Sequence, residues 1–426
     1  MQKWTHKKGS ILTITNHFTK NIDYDKLLNI SFVGLAFSIP ISKALTSIFT
    51  GLLILLWLVQ GHLKNKFKIV LHDKLSIAIL IFIGFSILSL FWAPNLAYAI
   101  KFIRVKYWYF FPVIIMLTSF RIQYTKYVLD AFLLSMFISE VASYGVYFRL
   151  WHFNGATHLF PTVFMSHVDY SVYLAFAIIL ILVKMYEQTD LKLKILLGVF
   201  FITATTNLFI NGGRTGQFAF VLTIFVVAIL YYRHSYKILL SSIIIAIFSM
   251  PLAYHLSPNF HKRIDQLYTD VHNAYAYHNY DGSLATRASL WTIGINKFID
   301  HPILGSGIGG EMKGLDLYIK KYGFSEKNLK PYSDFHNNFI MYAVELGIVG
   351  LAVNLFIFYR IATFDIRERR YKILATAFAI VFFSHEMGGF SFHLMDSLVL
   401  FAVFAALFNA IEYQEKNGVN IDRKRP

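Results

Sequence analysis

The chain has 426 residues, 56% of them hydrophobic and only 15% charged, with a mean hydropathy of +0.52, a composition that excludes a soluble globular protein. It contains no cysteine, which excludes disulfides and thiolate-bound metal. The formal net charge of +16 reads as the lysine and arginine bias of cytoplasmic membrane loops, not as a nucleic-acid surface.

Residues 1–26 are polar, hold five lysines and show no cleavage-site pattern, so a cytoplasmic lead-in is expected there. Apolar segments of membrane-crossing length follow at 27–42, 44–60, 75–92, 104–120, 127–149, 169–186, 194–211, 216–232, 237–254, 337–359, 371–390 and 395–412. Pro40 and Lys43 split the first two. Inside the hydrocarbon each segment must satisfy its own backbone hydrogen bonds, which selects helices. The expected fold is therefore an all-α polytopic membrane protein, a single integral membrane domain over 1–426. It has about twelve transmembrane helices and one long outward-facing loop, 255–335, between the ninth and tenth.

Charge assigns the sides. With the N-terminus inside, the predicted cytoplasmic segments hold 25 of the 40 lysines and arginines, and the short outer loops and helix ends hold six. The long loop carries the other nine against eight acidic residues, and a segment of that length crosses regardless of its charge. Both termini are expected inside. Within the loop, 284–299 (LATRASLWTIGINKFI) places apolar residues at 288, 291, 295, 298 and 299, a helical stripe suited to lying on the membrane surface or capping the bundle.

Three outward-side residues stand apart. Arg214, in NGGRTGQ (211–217), opens the eighth helix, where a cation faces the positive end of the helix dipole unless an anion joins it. Gly212, Gly213 and Gly216 are expected to leave backbone amides open, and amides, dipole and guanidinium together suit a pyrophosphate. The alternative is an arginine reaching the lipid headgroups. Arg287 lies one turn before Trp291 and offers a planar fork to phosphate oxygens; a solvated loop arginine is the simpler reading of that residue alone. His336, in FHNNF (335–339), begins the tenth helix, whose positive end keeps the imidazole neutral and able to accept a proton. Capping or an interfacial position is the alternative. Asp334 either caps the helix or orients the ring. Glu345 falls on the opposite helix face, about 13 Å deeper, and reads as an intramembrane polar contact.

Other patterns point away from their usual meaning. GSGIGG (305–310) matches a dinucleotide fingerprint but follows a proline-broken helix instead of a strand. Asp23 and Asp25 form an acidic pair on the side opposite the other candidates. His152, His158 and His167 lack a zinc spacing, so no metal is expected. Membrane-embedded Lys/Asp/Glu chains of the kind that relay protons are sparse.

Taken in order, NGGRTG (211–216), ATRASLW (285–291), HPILGSGIG (301–309), DFHNNF (334–339) and ELGIVGL (345–351) resemble the O-antigen ligase/polymerase family, chiefly over 205–360. The resemblance implies a metal-independent, inverting glycosyltransferase of the bacterial inner membrane, with its active site on the periplasmic side and no cofactor. Its donor would be an undecaprenyl-diphosphate-linked glycan held among membrane lipids. Its acceptor, in the ligase reading, would be a sugar hydroxyl of the lipid A-core, and nucleic acid would have no part. By the same resemblance His336 is the general base, Arg214 and Arg287 bind the diphosphate, and Lys43 is similar in position to a functional lysine. His336-Asn337-Asn338 stands where many members have His-Asn-Glu. A polymerase, with a second lipid-linked glycan as acceptor, is the nearest alternative; a flippase, lined by charge through its centre, is a more distant one.

Overall fold

The computed structural model describes residues 23–232, 258–277, 282–389 and 392–418, with 235–237, 240, 241, 244, 251, 254 and 255 between them. The lead-in up to residue 22, most of the ninth predicted segment (237–254) and the last eight residues lie outside the described residues. Among the described residues the fold is all-α, with no strand.

Helices occupy the other eleven predicted segments. Eight of the described helices are long and apolar enough to cross a membrane. Polar residues at the predicted loop ends start them: Ser42, Asp73, Ser166 and Asp190 each accept a hydrogen bond from a backbone amide of the first turn. The fourth segment differs from expectation. Instead of one helix over 104–120, the chain forms Leu96–Lys106, a tight 3-10 turn at Tyr107–Phe110, and Phe111–Ser119. Pro112 sits in the first turn of the last piece, where its missing N–H costs least, so the helix restarts there.

Burial sorts the helices. Met395–Lys416 is apolar on every side and its span is 89% buried, so it forms the central strut of the bundle. Lys43–Gln60 and Leu191–Ile210 are only 22% buried and present Ile48, Leu55, Ile195 and Ile202 outward, as lipid-facing helices do. One continuous core runs from Leu28 to Ile411.

Residues at or beside the predicted cytoplasmic segments meet one another. Arg121 pairs with Asp25, Arg360 with Glu412, and Arg370 with Glu187 at 3.4 Å. The acidic pair at the start of the chain is thereby explained: Asp23 caps its helix and Asp25 holds Arg121 and Gln60.

The loop helix Ser283–Asp300 forms as expected, but its packed face is not the apolar stripe. Ala288, Ile295 and Ile299 are exposed, whereas Thr286, Ser289, Leu290, Ile293 and Gly294 are buried. Close approach explains the rotation. A Cβ on Gly294 would lie 2.3 Å from Ile340 Cγ2, so the small face seats against Asn338–Ala362 and caps the bundle there. A second small core, with Leu290, Ile293, Phe335 and Met341, fixes this contact.

The glycine-rich GSGIGG segment serves the same joint. Asn338–Ala362 breaks at Gly347 (φ 64°), and the loop enters the break. Ser306 and Gly307 N–H donate to the Val344 and Glu345 carbonyls at 2.7 and 2.9 Å, and Ile348 N–H donates to Pro302 at 2.8 Å. A side chain at Gly347 would meet the Ile303 carbonyl oxygen at 2.2 Å, so a positive φ and close backbone contact both require glycine.

Candidate active site

Six chain segments converge on one cavity of about 190 Å³, Leu394 before Met395–Lys416 among them. Ser166 and His167 come from the start of His167–Glu187, Gly212 and Arg214 from the turn into Arg214–Tyr232, and Arg287 from the loop helix. His336 comes from the turn before Asn338–Ala362, and His385, Gly388 and Gly389 from the end of Arg369–Gly388. Arg214, Arg287 and His336, up to 122 residues apart in sequence, share this cavity. A cavity of this volume holds a headgroup-sized group, not a whole glycan.

The arginine turn is locked by its own amides. Gln217 Nε2 donates to the Leu208 and Asn211 carbonyls, both at 3.0 Å, and Asn211 Nδ2 donates to His167 at 3.2 Å. The glycines act differently from expectation. A Cβ on Gly213 would lie 2.3 Å from Ser171 Oγ, one on Gly216 would lie 2.2 Å from the Ser171 backbone, and the Gly216 amide donates to Ser171 Oγ. These two glycines let helices touch; Gly212 alone of the three lines the cavity.

His336 precedes the helix instead of beginning it. Asn337 is the N-cap, its side chain accepting from Ile340 N–H at 3.2 Å. His336 itself has φ 49°, left-handed for a non-glycine residue, which turns the imidazole off the helix axis. The choice left open for Asp334 is resolved: its Oδ1 accepts the His336 backbone N–H and lies 3.2 Å from His336 Nδ1. It orients the ring. Trp291 Nε1 donates to the Phe335 carbonyl at 3.0 Å, so the arginine-bearing helix also positions the histidine's backbone. Tyr332 packs edge-on against the imidazole.

Electrostatics favour a neutral imidazole. Burial, then the nearby Arg287 guanidinium, hold the His336 pKa below its ordinary value. Burial raises the Asp334 carboxyl to about 6, against the pull of its bond to the His336 backbone. With Nδ1–H directed at Asp334, Nε2 carries the lone pair, the arrangement of a base whose protonated form a carboxylate stabilises.

Lys43 does not line the cavity. Its Nζ pairs with Asp396 at 3.0 Å, while its side chain is 59% exposed. Glu345 contacts the Gly309 amide and His393, not the cavity. Burial pushes Glu311 up to about 8 and His393 down to about 4, so both are neutral near pH 7.

Several ionisable residues lie buried within the helices: Glu140, Asp169, Glu345, His385 and Glu386. His385 also lines the cavity. A histidine at that depth in an apolar helix was the available signal, because burying an ionisable group in a membrane span is costly.

Residues 198–355 match the family model described as O-antigen ligase. That region belongs to the O-antigen ligase family. O-antigen ligase relatives include polymerases, and the family implies a lipid-linked glycan and a lipid acceptor in general terms. The O-antigen ligase match contains Arg214, Arg287, His336 and the loop joint; Lys43, Asp169 and His385 lie outside it. No curated protein matches the chain.

Proposed function

We propose that the protein is a metal-independent, inverting glycosyltransferase that moves O-antigen glycan from undecaprenyl diphosphate to the lipid A-core, at the periplasmic face of the bacterial inner membrane. The cavity shared by Arg214, Arg287 and His336 carries the reading.

A sugar hydroxyl is a poor nucleophile, and His336 Nε2 takes its proton as the oxygen attacks the anomeric carbon. The carbon–oxygen bond to the diphosphate breaks on the opposite face, inverting the centre. Negative charge grows on the leaving phosphate, where two guanidiniums meet it. The imidazolium formed rests against Asp334. The donor's lipid tail keeps its headgroup at the membrane surface, which explains why the site is built from helix ends.

Ligase is preferred to polymerase on the one dominant outward loop expected from the sequence. Loss of the gene separates them: polymer accumulating on the carrier lipid supports a ligase, whereas lipopolysaccharide with a single O-unit on its core makes the protein a polymerase.

A further inference from the structure

His385, which lines the cavity, has one committed nitrogen and one with no hydrogen-bond partner among the described residues. Its Nε2 lies 2.9 Å from Ser397 Oγ and 3.5 Å from Asp169 Oδ1. Ser397 Oγ donates its own hydrogen to Asp169 Oδ1, and the other carboxylate oxygen accepts from Ser166 Oγ at 2.7 Å. Ser397 therefore has only a lone pair to offer the imidazole, and Nε2 must carry the hydrogen. In the neutral imidazole Nδ1 is then an acceptor. The side chain is 1% exposed, and Nδ1 has no hydrogen-bond partner among the described residues.

Gly389 borders that nitrogen. It lines the cavity with His385, and a Cβ placed on it would lie 3.0 Å from the imidazole Cε1 and 3.1 Å from Nδ1. Any larger residue would cover the edge that Nδ1 presents. A buried, unsatisfied acceptor is costly, and a phosphate oxygen, itself an acceptor, cannot relieve it.

Resting on the glycosyl-transfer reading above, we propose that His385 is a substrate-binding residue whose Nδ1 accepts a hydrogen bond from a sugar hydroxyl, with Asp169 and Ser397 fixing the ring. The arginines hold the phosphate and His336 takes the proton; His385 holds a hydroxyl at the same cavity. That hydroxyl belongs either to the acceptor sugar or to the transferred sugar.

Two substitutions separate binding from scaffolding. His385→Gln places its amide near the Nε2 position and keeps a partner for Ser397, but supplies nothing at Nδ1. His385→Asn places an oxygen near Nδ1 and gives up the Ser397 contact. Gly389→Ala leaves the histidine intact and blocks its edge. Full-length purified protein is assayed for transfer between undecaprenyl-diphosphate glycan and rough lipopolysaccharide, and for binding of each lipid alone. Loss of one buried hydrogen bond predicts a roughly tenfold weaker interaction in the His385→Gln and Gly389→Ala proteins, with His385→Asn nearer wild type. Weakening confined to lipopolysaccharide assigns the hydroxyl to the acceptor; weakening confined to the lipid-linked glycan assigns it to the donor. Wild-type binding of both lipids by His385→Gln overturns the proposal, as does a greater loss in His385→Asn than in His385→Gln. Wild-type protein that binds both lipids but joins nothing overturns the transfer reading instead, while the binding comparison still decides the role of His385.

Discussion

One oxygen of Asp334 holds His336 twice, accepting its backbone N–H and lying 3.2 Å from its Nδ1. The carboxylate therefore sets both the left-handed turn and the ring's direction. Asp334→Asn keeps the shape and an oxygen that can accept both hydrogens, but removes the negative charge that would stabilise the imidazolium. Steady-state kcat should fall at least about tenfold, since a well-placed base contributes roughly 10²–10⁴-fold. The thermal unfolding midpoint should change little by comparison. Wild-type kcat in the Asp334→Asn enzyme removes this carboxylate from the mechanism.

Acidity should silence the enzyme from the base side. The His336 pKa lies below 6.5, so the neutral, active ring is lost as pH falls through that lower value. Asp334, raised to about 6, titrates in the same range, and the acid limb of kcat/KM reports the pair. Arg287 pulls both groups down. Arg287→Gln should consequently move the acid midpoint upward while lowering the rate. A midpoint that stays put or moves down argues against this electrostatic coupling.

At Arg214 the geometry of the charge matters as well as its sign. Arg214→Lys retains a cation on a turn held by Gln217 and Asn211, but a point charge cannot reproduce a fork on phosphate. Transfer should drop by roughly tenfold or more, given that a charge-assisted hydrogen bond is worth ~1.5–3 kcal/mol. Unchanged donor affinity and turnover in this variant count against a diphosphate role.

The joint at Gly347 should be a structural liability. Gly347→Ala places a Cβ at a positive φ and 2.2 Å from the Ile303 carbonyl oxygen. Backbone strain of that kind costs about 1–3 kcal/mol. The expected result is faster proteolysis of the 301–314 segment and a lower unfolding midpoint. Equal proteolysis rates for variant and wild type discount the docking of GSGIGG into the helix break.

Much of this was legible in the sequence because membrane crossing imposes length and hydrophobicity directly. Helices occupy every described predicted segment for that reason, and Pro40 marks the break between the first two, whereas the restart at Pro112 was not anticipated. Packing was harder to read. The loop helix buries Thr286, Ser289 and Gly294, residues that periodicity scores as polar or neutral but whose small size permits close approach. The glycines of NGGRTG suggested open amides, whereas Gly213 and Gly216 accommodate Ser171, a partner 42 to 45 residues earlier that no local pattern announces.

The candidate site divides along the same line. Arg214, Arg287 and His336 were marked by local context, and the fold brings all three to one cavity. Lys43 was named too, but sits on Asp396 outside the cavity wall. His385 went unremarked because its partners Asp169 and Ser397 come from two other helices, and only the folded bundle shows which nitrogen is committed.

The decisive measurement is glycosidic bond formation by purified protein supplied with undecaprenyl-diphosphate glycan and rough lipopolysaccharide in the presence of chelator. Wild-type protein should yield joined product with the anomeric centre inverted, and His336→Ala, although inserted and folded, should yield none. Full activity in His336→Ala, or transfer that requires an added metal ion, contradicts the account.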